Sequence, residues 1–192
     1  MDLSSTRLVV VTGGPGSGKS TLIDALERAG HARTMEAGRG VIRDQMAIGG
    51  PALPWKDPRL FAELMLCWEL RSYHMAKSQG DLVFFDRGVP DCIGYLRLLG
   101  LPVPGHMQRA AEIHRYSPLV FLAPPWPEIY RQDEERRQDF VEAVRTCEAM
   151  IAIYRDLGYE LAELPRASIG ERMRFVLGRT AGRCPVPCRS EP

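Results

Sequence analysis

The residues whose types and spacing suit a definite chemistry are Gly13-Gly14-Pro15-Gly16-Ser17-Gly18-Lys19-Ser20-Thr21. They satisfy G-x-x-x-x-G-K-[ST] at every fixed position, directly after the apolar run Leu8–Thr12 and directly before a helical period. Glycines let the backbone reach conformations closed to other residues, so several N–H groups can converge on phosphate oxygens. Together with the N-terminus of the following helix they make a concave anion site. Within it Lys19 would set a compact positive charge on the β- and γ-phosphates of a triphosphate, and the Ser20 hydroxyl would ligand Mg²⁺. Lys19 is one of only three lysines, with Lys56 and Lys77, in a chain that carries 22 arginines. Arginine's planar fork is a poor substitute for an ammonium at such a spot.

A metal held by Ser20 needs a carboxylate on a neighbouring strand. Asp86 ends the apolar run Leu82-Val83-Phe84-Phe85 and fits that place. The alternative for Asp86 is an N-cap of the following helix, which aspartate does well.

The elements that must position these residues alternate short apolar runs with longer helical periods, the pattern of βαβ units and a parallel sheet. Strands are expected at Leu8–Thr12, Arg33–Glu36, Leu82–Asp86, Leu119–Leu122 and Tyr159–Leu164. Helices are expected at Gly18–Ala29, Gly38–Ile48, Pro58–Lys77, Pro90–Leu99, His106–Arg115 and Ile169–Leu177, with a loop over Gly49–Pro58. Leu60, Phe61, Leu64, Met65 and Trp68 mark one buried stripe, and Phe140, Val144, Cys147, Ile151 and Tyr154 another. The fold class that follows is a three-layer α/β/α sandwich with a mainly parallel sheet of about five strands. The ligand site belongs at the carboxyl ends of those strands.

Composition narrows the function. The chain has 192 residues, enough for one domain with its own core. With 25 basic and 24 acidic residues its net charge is +1, which argues against a broad nucleic-acid footprint. Its apolar runs are short of the roughly 20 residues of a membrane span, and Met1–Arg7 lacks the layout of a secretory signal. A cytoplasmic protein is the expectation. The chain contains no Asn, which removes the Asn-Lys-x-Asp signature of guanine recognition. Its five cysteines are odd in number and fit a reducing compartment. Cys184 and Cys188 lack the second pair of ligands that a structural zinc site needs.

With the glycine cradle and Phe85-Asp86-Arg87-Gly88 in place, residues 7 to 178 resemble the P-loop kinases of the nucleoside and nucleotide type. Within them the chain looks closest to the AAA-like predicted ATPases, a branch similar to the ribosylnicotinamide kinase domain of bacterial NAD regulators. The resemblance implies ATP and Mg²⁺ as cofactors and a small-molecule phosphate acceptor, without nucleic acid or membrane as partner. It also implies that Glu36, in Met35-Glu36-Ala37-Gly38-Arg39, takes the proton of an attacking hydroxyl and that Arg87 holds substrate or phosphate. The family's second-strand acid is often followed by Pro; here Ala37 follows.

The resemblance further implies a lid at about residues 124–138 whose arginines, among Arg131, Arg136 and Arg137, close over the transferred phosphoryl group. The alternative for those arginines is a solvated helical face, with Asp133 or Glu134 pairing Arg137. Residues 1–178 then form the kinase-like domain and 179–192 a flexible tail. Trp55, Phe61, Trp68 and Tyr73 fall where such kinases build the acceptor pocket. Phe61 and Trp68 read as core, and Trp55 is the better stacking candidate. Asp91 stands between substrate contact and helix-end solvation. The leading function is transfer of the ATP γ-phosphoryl group to a hydroxyl of a small, nucleoside-like metabolite. The alternatives are an ATPase that drives a conformational switch and a non-catalytic nucleotide sensor.

Overall fold

The computed structural model describes residues 7–79, 82–130 and 139–181, and within them the unbroken apolar run forms the centre of the sheet. β1 (Leu8–Gly13) is buried along its whole length. It pairs in parallel with β3 (Val83–Asp86) on one side and β4 (Leu119–Ala123) on the other. β2 (Ala32–Arg33) lies outside β3 and β5 (Glu160–Glu163) outside β4, giving the parallel order β2-β3-β1-β4-β5. Strands covered on both faces read as continuous apolar runs, which is why β1, β3 and β4 are legible in the sequence.

The strand period of two sorts these side chains between two cores. Leu8 and Val10 join Phe85 and Val120 on one face. Val9 and Val11 join Phe84 and Phe121 on the other. The first face is covered by α2 (Ala37–Ile48), α3 (Pro58–Gln79), α4 (Val89–Leu98), α5 (Gly105–Ile113) and α6 (Phe140–Asp156). The second is covered by α1 (Lys19–Arg28) and α7 (Ile169–Ala181). The architecture is a three-layer α/β/α sandwich. At the carboxyl end of β1 the chain leaves for both halves of the sheet, so a crevice opens there.

Several expected boundaries shift for identifiable reasons. β2 stops at Arg33; only the Thr34 amide, donating to the Phe84 carbonyl at 2.9 Å, extends the ladder before the backbone turns. Glu36 therefore caps α2 and does not end a strand. The buried stripe of α3 runs through Phe61, Met65, Glu69 and Tyr73, while Leu60 is exposed and Leu64 and Trp68 are half-buried. On α6 the buried face is Ala143, Cys147, Met150 and Tyr154, with Phe140, Val144 and Ile151 half-buried. That helix turns its small residue, Ala143, inward because its backbone packs against the cradle. A Cβ added to Gly14 would lie 2.3 Å from the Ala143 carbonyl oxygen. α7 continues past Arg179 to Ala181, and the rest of the expected tail lies outside the described residues.

Candidate active site

The cradle joins β1 to α1, which begins at Lys19. Gly18 precedes it at φ 73°, in the left-handed region where a side chain is strained. Pro15, Ser17 and Lys19 are buried, whereas Thr21 faces outward on the first turn of α1. The Ser17 hydroxyl and the Lys19 ammonium both donate to the Gly14 carbonyl, at 2.8 and 2.7 Å, which holds the loop closed on itself. Ser20 Oγ donates to Asp86 Oδ2 at 3.0 Å across the β1–β3 pair. Asp86 does not cap α4; that position belongs to Gly88.

Asp86 is buried at 2% exposure and its Oδ1 has no hydrogen-bond partner among the described residues. Burial, reinforced by the Glu36 charge and offset by Lys19 and Arg87, pushes its carboxyl up to about 6. An orphaned carboxylate oxygen beside a serine hydroxyl fits a hard divalent cation such as Mg²⁺. No group of three His, Cys, Asp or Glu among the described residues could hold an ion by itself. Mg²⁺ is characteristically shared between one or two protein oxygens and substrate phosphates.

Arg87 lies at φ 75°, the one non-glycine residue with positive φ among those described. Its amide donates to the Val11 carbonyl, and its side chain is thereby turned into the cluster. Nε donates to Glu36 Oε1 at 3.1 Å, and Nη1 donates to the Gly13 carbonyl at 3.1 Å and Asp91 Oδ1 at 3.2 Å. Burial works against this charge, but Glu36, Asp91 and Asp86 more than offset it and the guanidinium is held firmly protonated. Glu36 also pairs with Arg39, whose Nε is 3.2 Å from Oε2. Lys19, Ser20, Glu36, Asp86 and Arg87 thus share one crevice. Arg131, Arg136 and Arg137 lie outside the described residues. The segment leading to them forms a 3₁₀ turn, Pro127–Ile129, and then places the Tyr130 ring against the Gly16 backbone.

Comparison with known proteins agrees with this fold. The AAA domain family matches residues 8–172. The chain belongs to that family. No curated protein matches the chain. Among solved structures, this AAA domain resembles a NadR protein in complex with NR at TM-score 0.67 and 17% identity, over 96% of this chain and 52% of that one. The chain therefore spans about half the length of NadR. It also resembles deoxyadenosine kinase from M. mycoides with bound dATP, at TM-score 0.67 and 11% identity over 91% and 98% of the two chains. Thymidylate kinase from Ehrlichia chaffeensis follows at TM-score 0.60 and 14% identity, over 92% and 99%. The fold is that of the P-loop nucleoside and nucleotide kinases. Among the described residues of the AAA domain no helix is long and apolar enough to cross a membrane.

Two carboxylates of the AAA domain's crevice, Asp91 and Glu69, have surroundings that residue type alone does not reveal. Asp91, for which substrate contact and helix-end solvation were the two expectations, is not solvated at the helix end. It is buried and accepts from Thr12 Oγ1 at 2.6 Å, Tyr154 Oη at 2.7 Å, the Gly88 amide at 3.0 Å and Arg87. Glu69 is 2% exposed, and its Oε2 has no partner among the described residues. Burial pushes its carboxyl well above the usual range, with the Asp91 and Asp86 charges adding to the effect. Its four-residue spacing from Met65 and Tyr73 on an apolar stripe was the available signal. Between α2 and the C-terminal half of α3, a groove of about 510 Å³ is lined by Thr34, Met35, Gln45, Trp68, Met75 and Val83, and Glu36 is not part of its wall. Trp68, read as core, lines this groove, while Trp55 is exposed and stands apart from it.

Proposed function

We propose that this protein is an ATP-dependent kinase that transfers the γ-phosphoryl group to a hydroxyl of a small, nucleoside-like metabolite. The observation that carries this reading is the single crevice in which Ser20 meets Asp86 at 3.0 Å while Arg87 joins Glu36 to the cradle carbonyl of Gly13. A bare phosphate-binding loop needs only the first pair; a carboxylate set beside the cradle supplies what an incoming hydroxyl requires. The groove between α2 and α3, which Met35 lines one residue before Glu36, offers space for the acceptor. The fold shared with a deoxyadenosine kinase and a thymidylate kinase supports a nucleoside or nucleotide acceptor.

In this mechanism the amides of residues 13–21 bind the triphosphate and Lys19 neutralises charge on its terminal phosphates. Ser20 and Asp86 would hold Mg²⁺, which would supply positive charge against the charge developing on the phosphates. Glu36, oriented by Arg87, accepts the proton of the acceptor hydroxyl as that oxygen bonds to the γ-phosphorus. The bond to the β-phosphate oxygen breaks and ADP departs with the electron pair. On this reading residues 124–138 would act as the lid, with at least one of Arg131, Arg136 and Arg137 supplying positive charge over the transferred group.

The test is ATP turnover of the full chain with Mg²⁺, alone and with each of a panel of nucleosides and nucleoside monophosphates. A kinase shows low basal hydrolysis and an acceptor-dependent, phosphorylated product. Turnover indifferent to every acceptor identifies an ATPase, and tight ATP binding without turnover identifies a sensor.

A further inference from the structure

We propose that Arg172, more than 150 residues beyond the cradle, is a positioning residue that sets the direction of the phosphate-binding amides. The proposal rests on the reading of residues 13–21 as a triphosphate site but not on the identity of the acceptor or the base.

Arg172, at the start of α7, is 1% exposed and is the largest fully buried side chain among the described residues. Its Nη2 donates to the Ser17 carbonyl at 3.2 Å and its Nη1 to the Gly18 carbonyl at 3.3 Å. Its Nε has no partner, and no carboxylate pairs with it, among the described residues. Burying a guanidinium without an anion is costly, and buried charges are normally paired. Here desolvation lowers the affinity of Arg172 for its proton, unlike Arg87, which three carboxylates hold charged. The counter-charge that suits this cation is the phosphate chain on the far side of the same loop.

The geometry explains how it acts without touching that ligand. A planar trans peptide points its C=O and N–H in opposite directions. The Ser17 carbonyl shares a peptide plane with the Gly18 amide, and the Gly18 carbonyl with the Lys19 amide. Pinning both carbonyls toward α7 therefore aims both amides away from it, into the concave side of the cradle. Gly18 leaves room for this clamp: a Cβ there would stand 2.7 Å from Arg172 Nη1. Trp126, with its ring 5.8 Å from the guanidinium, lies beside it.

The experiment compares wild type, Arg172→Gln and Arg172→Lys by calorimetric titration with ATP, ADP and AMP in Mg²⁺, and by melting of the unliganded protein. Arg172→Gln should weaken ATP and ADP by about 10- to 100-fold, the weight of charge-assisted hydrogen bonds, while AMP changes little. Arg172→Lys, which restores the charge but not the fork, should recover part of that loss. The unliganded melting point should hold or rise, since an unpaired buried cation is gone. Unchanged ATP affinity in Arg172→Gln overturns the proposal. So does an equal loss for all three nucleotides accompanied by a lower melting point, which marks a merely structural residue. If Arg172→Gln does not fold, wild-type ATP affinity in Arg172→Lys overturns it, and a selective triphosphate loss there supports it. A wild type that binds ATP yet phosphorylates nothing refutes the kinase reading alone; a wild type that binds no ATP refutes both.

Discussion

Arg87 donates through Nε to Glu36 Oε1 at 3.1 Å from a backbone held at φ 75°. A non-glycine residue in that region is strained by roughly 1–3 kcal/mol, and such strain concentrates at functional sites. The strain is offset by one guanidinium that serves the end of β1, the cap of α2 and the first turn of α4 together.

Replacing Arg87 by Lys should therefore cost far more than a conservative exchange suggests. Lysine keeps the charge but has no planar fork to reach three acceptors at once. Turnover is expected to fall by at least about 100-fold and the fold to lose about 1–3 kcal/mol. Steady-state kinetics and urea melts check both.

Lys19→Ala should abolish measurable ATP binding while circular dichroism stays native. The ammonium bonds Gly14 O and Ser17 Oγ of the loop and belongs to neither apolar core, so its removal touches little of either. A titration with wild-type affinity would contradict the phosphate-site reading.

Glu36→Gln should lower kcat by about 10²- to 10⁴-fold and leave ATP affinity nearly unchanged. The amide keeps the shape of the cap but cannot accept the proton. A matching loss in ATP affinity would instead make Glu36 a binding residue.

Asp86→Asn should stabilise the unliganded protein while removing Mg²⁺-dependent turnover. The carboxyl of folded Asp86 lies at about 6, above the ordinary 3.8, so folding favours its protonated form. Its penalty is absent below the unfolded value, grows as pH rises from about 4 to 6, and is constant above that. The stability advantage of the asparagine variant should follow the same course and reach about 1–3 kcal/mol at pH 7. Thermal melts of both proteins from pH 4 to 8 measure it.

Tyr154→Phe should destabilise the fold by about 1–2 kcal/mol, with ATP affinity retained. Its hydroxyl donates to Asp91 Oδ2 from α6, and the phenylalanine leaves that buried oxygen one donor short. Denaturant midpoints with parallel nucleotide titrations separate the two effects.

The sequence made the sheet legible because β1, β3 and β4 are covered on both faces and must be apolar throughout. It made the cradle legible because amide convergence demands glycine at fixed spacing. The faces of α3 and α6 were misjudged because apolarity was weighed above fit. Ala143 turns inward to meet the Gly14 backbone, and Glu69 is buried beside other carboxylates. Arg172 was invisible for a different reason. Its partners are backbone carbonyls, which leave no mark in residue type, and one of three arginines in an amphipathic helix reads as solvent-facing.

The central place of β1 also constrains how the chain comes into being during synthesis. Leu8–Gly13 leaves the ribosome well before either neighbour, since β3 begins at Val83 and β4 at Leu119. Both hydrogen-bonding edges of this apolar ribbon stay open until β3 follows, and one stays open until β4 does, the condition that invites aggregation and chaperone capture. A nascent fragment halted short of β4 should thus be insoluble, however well its glycine turn is formed.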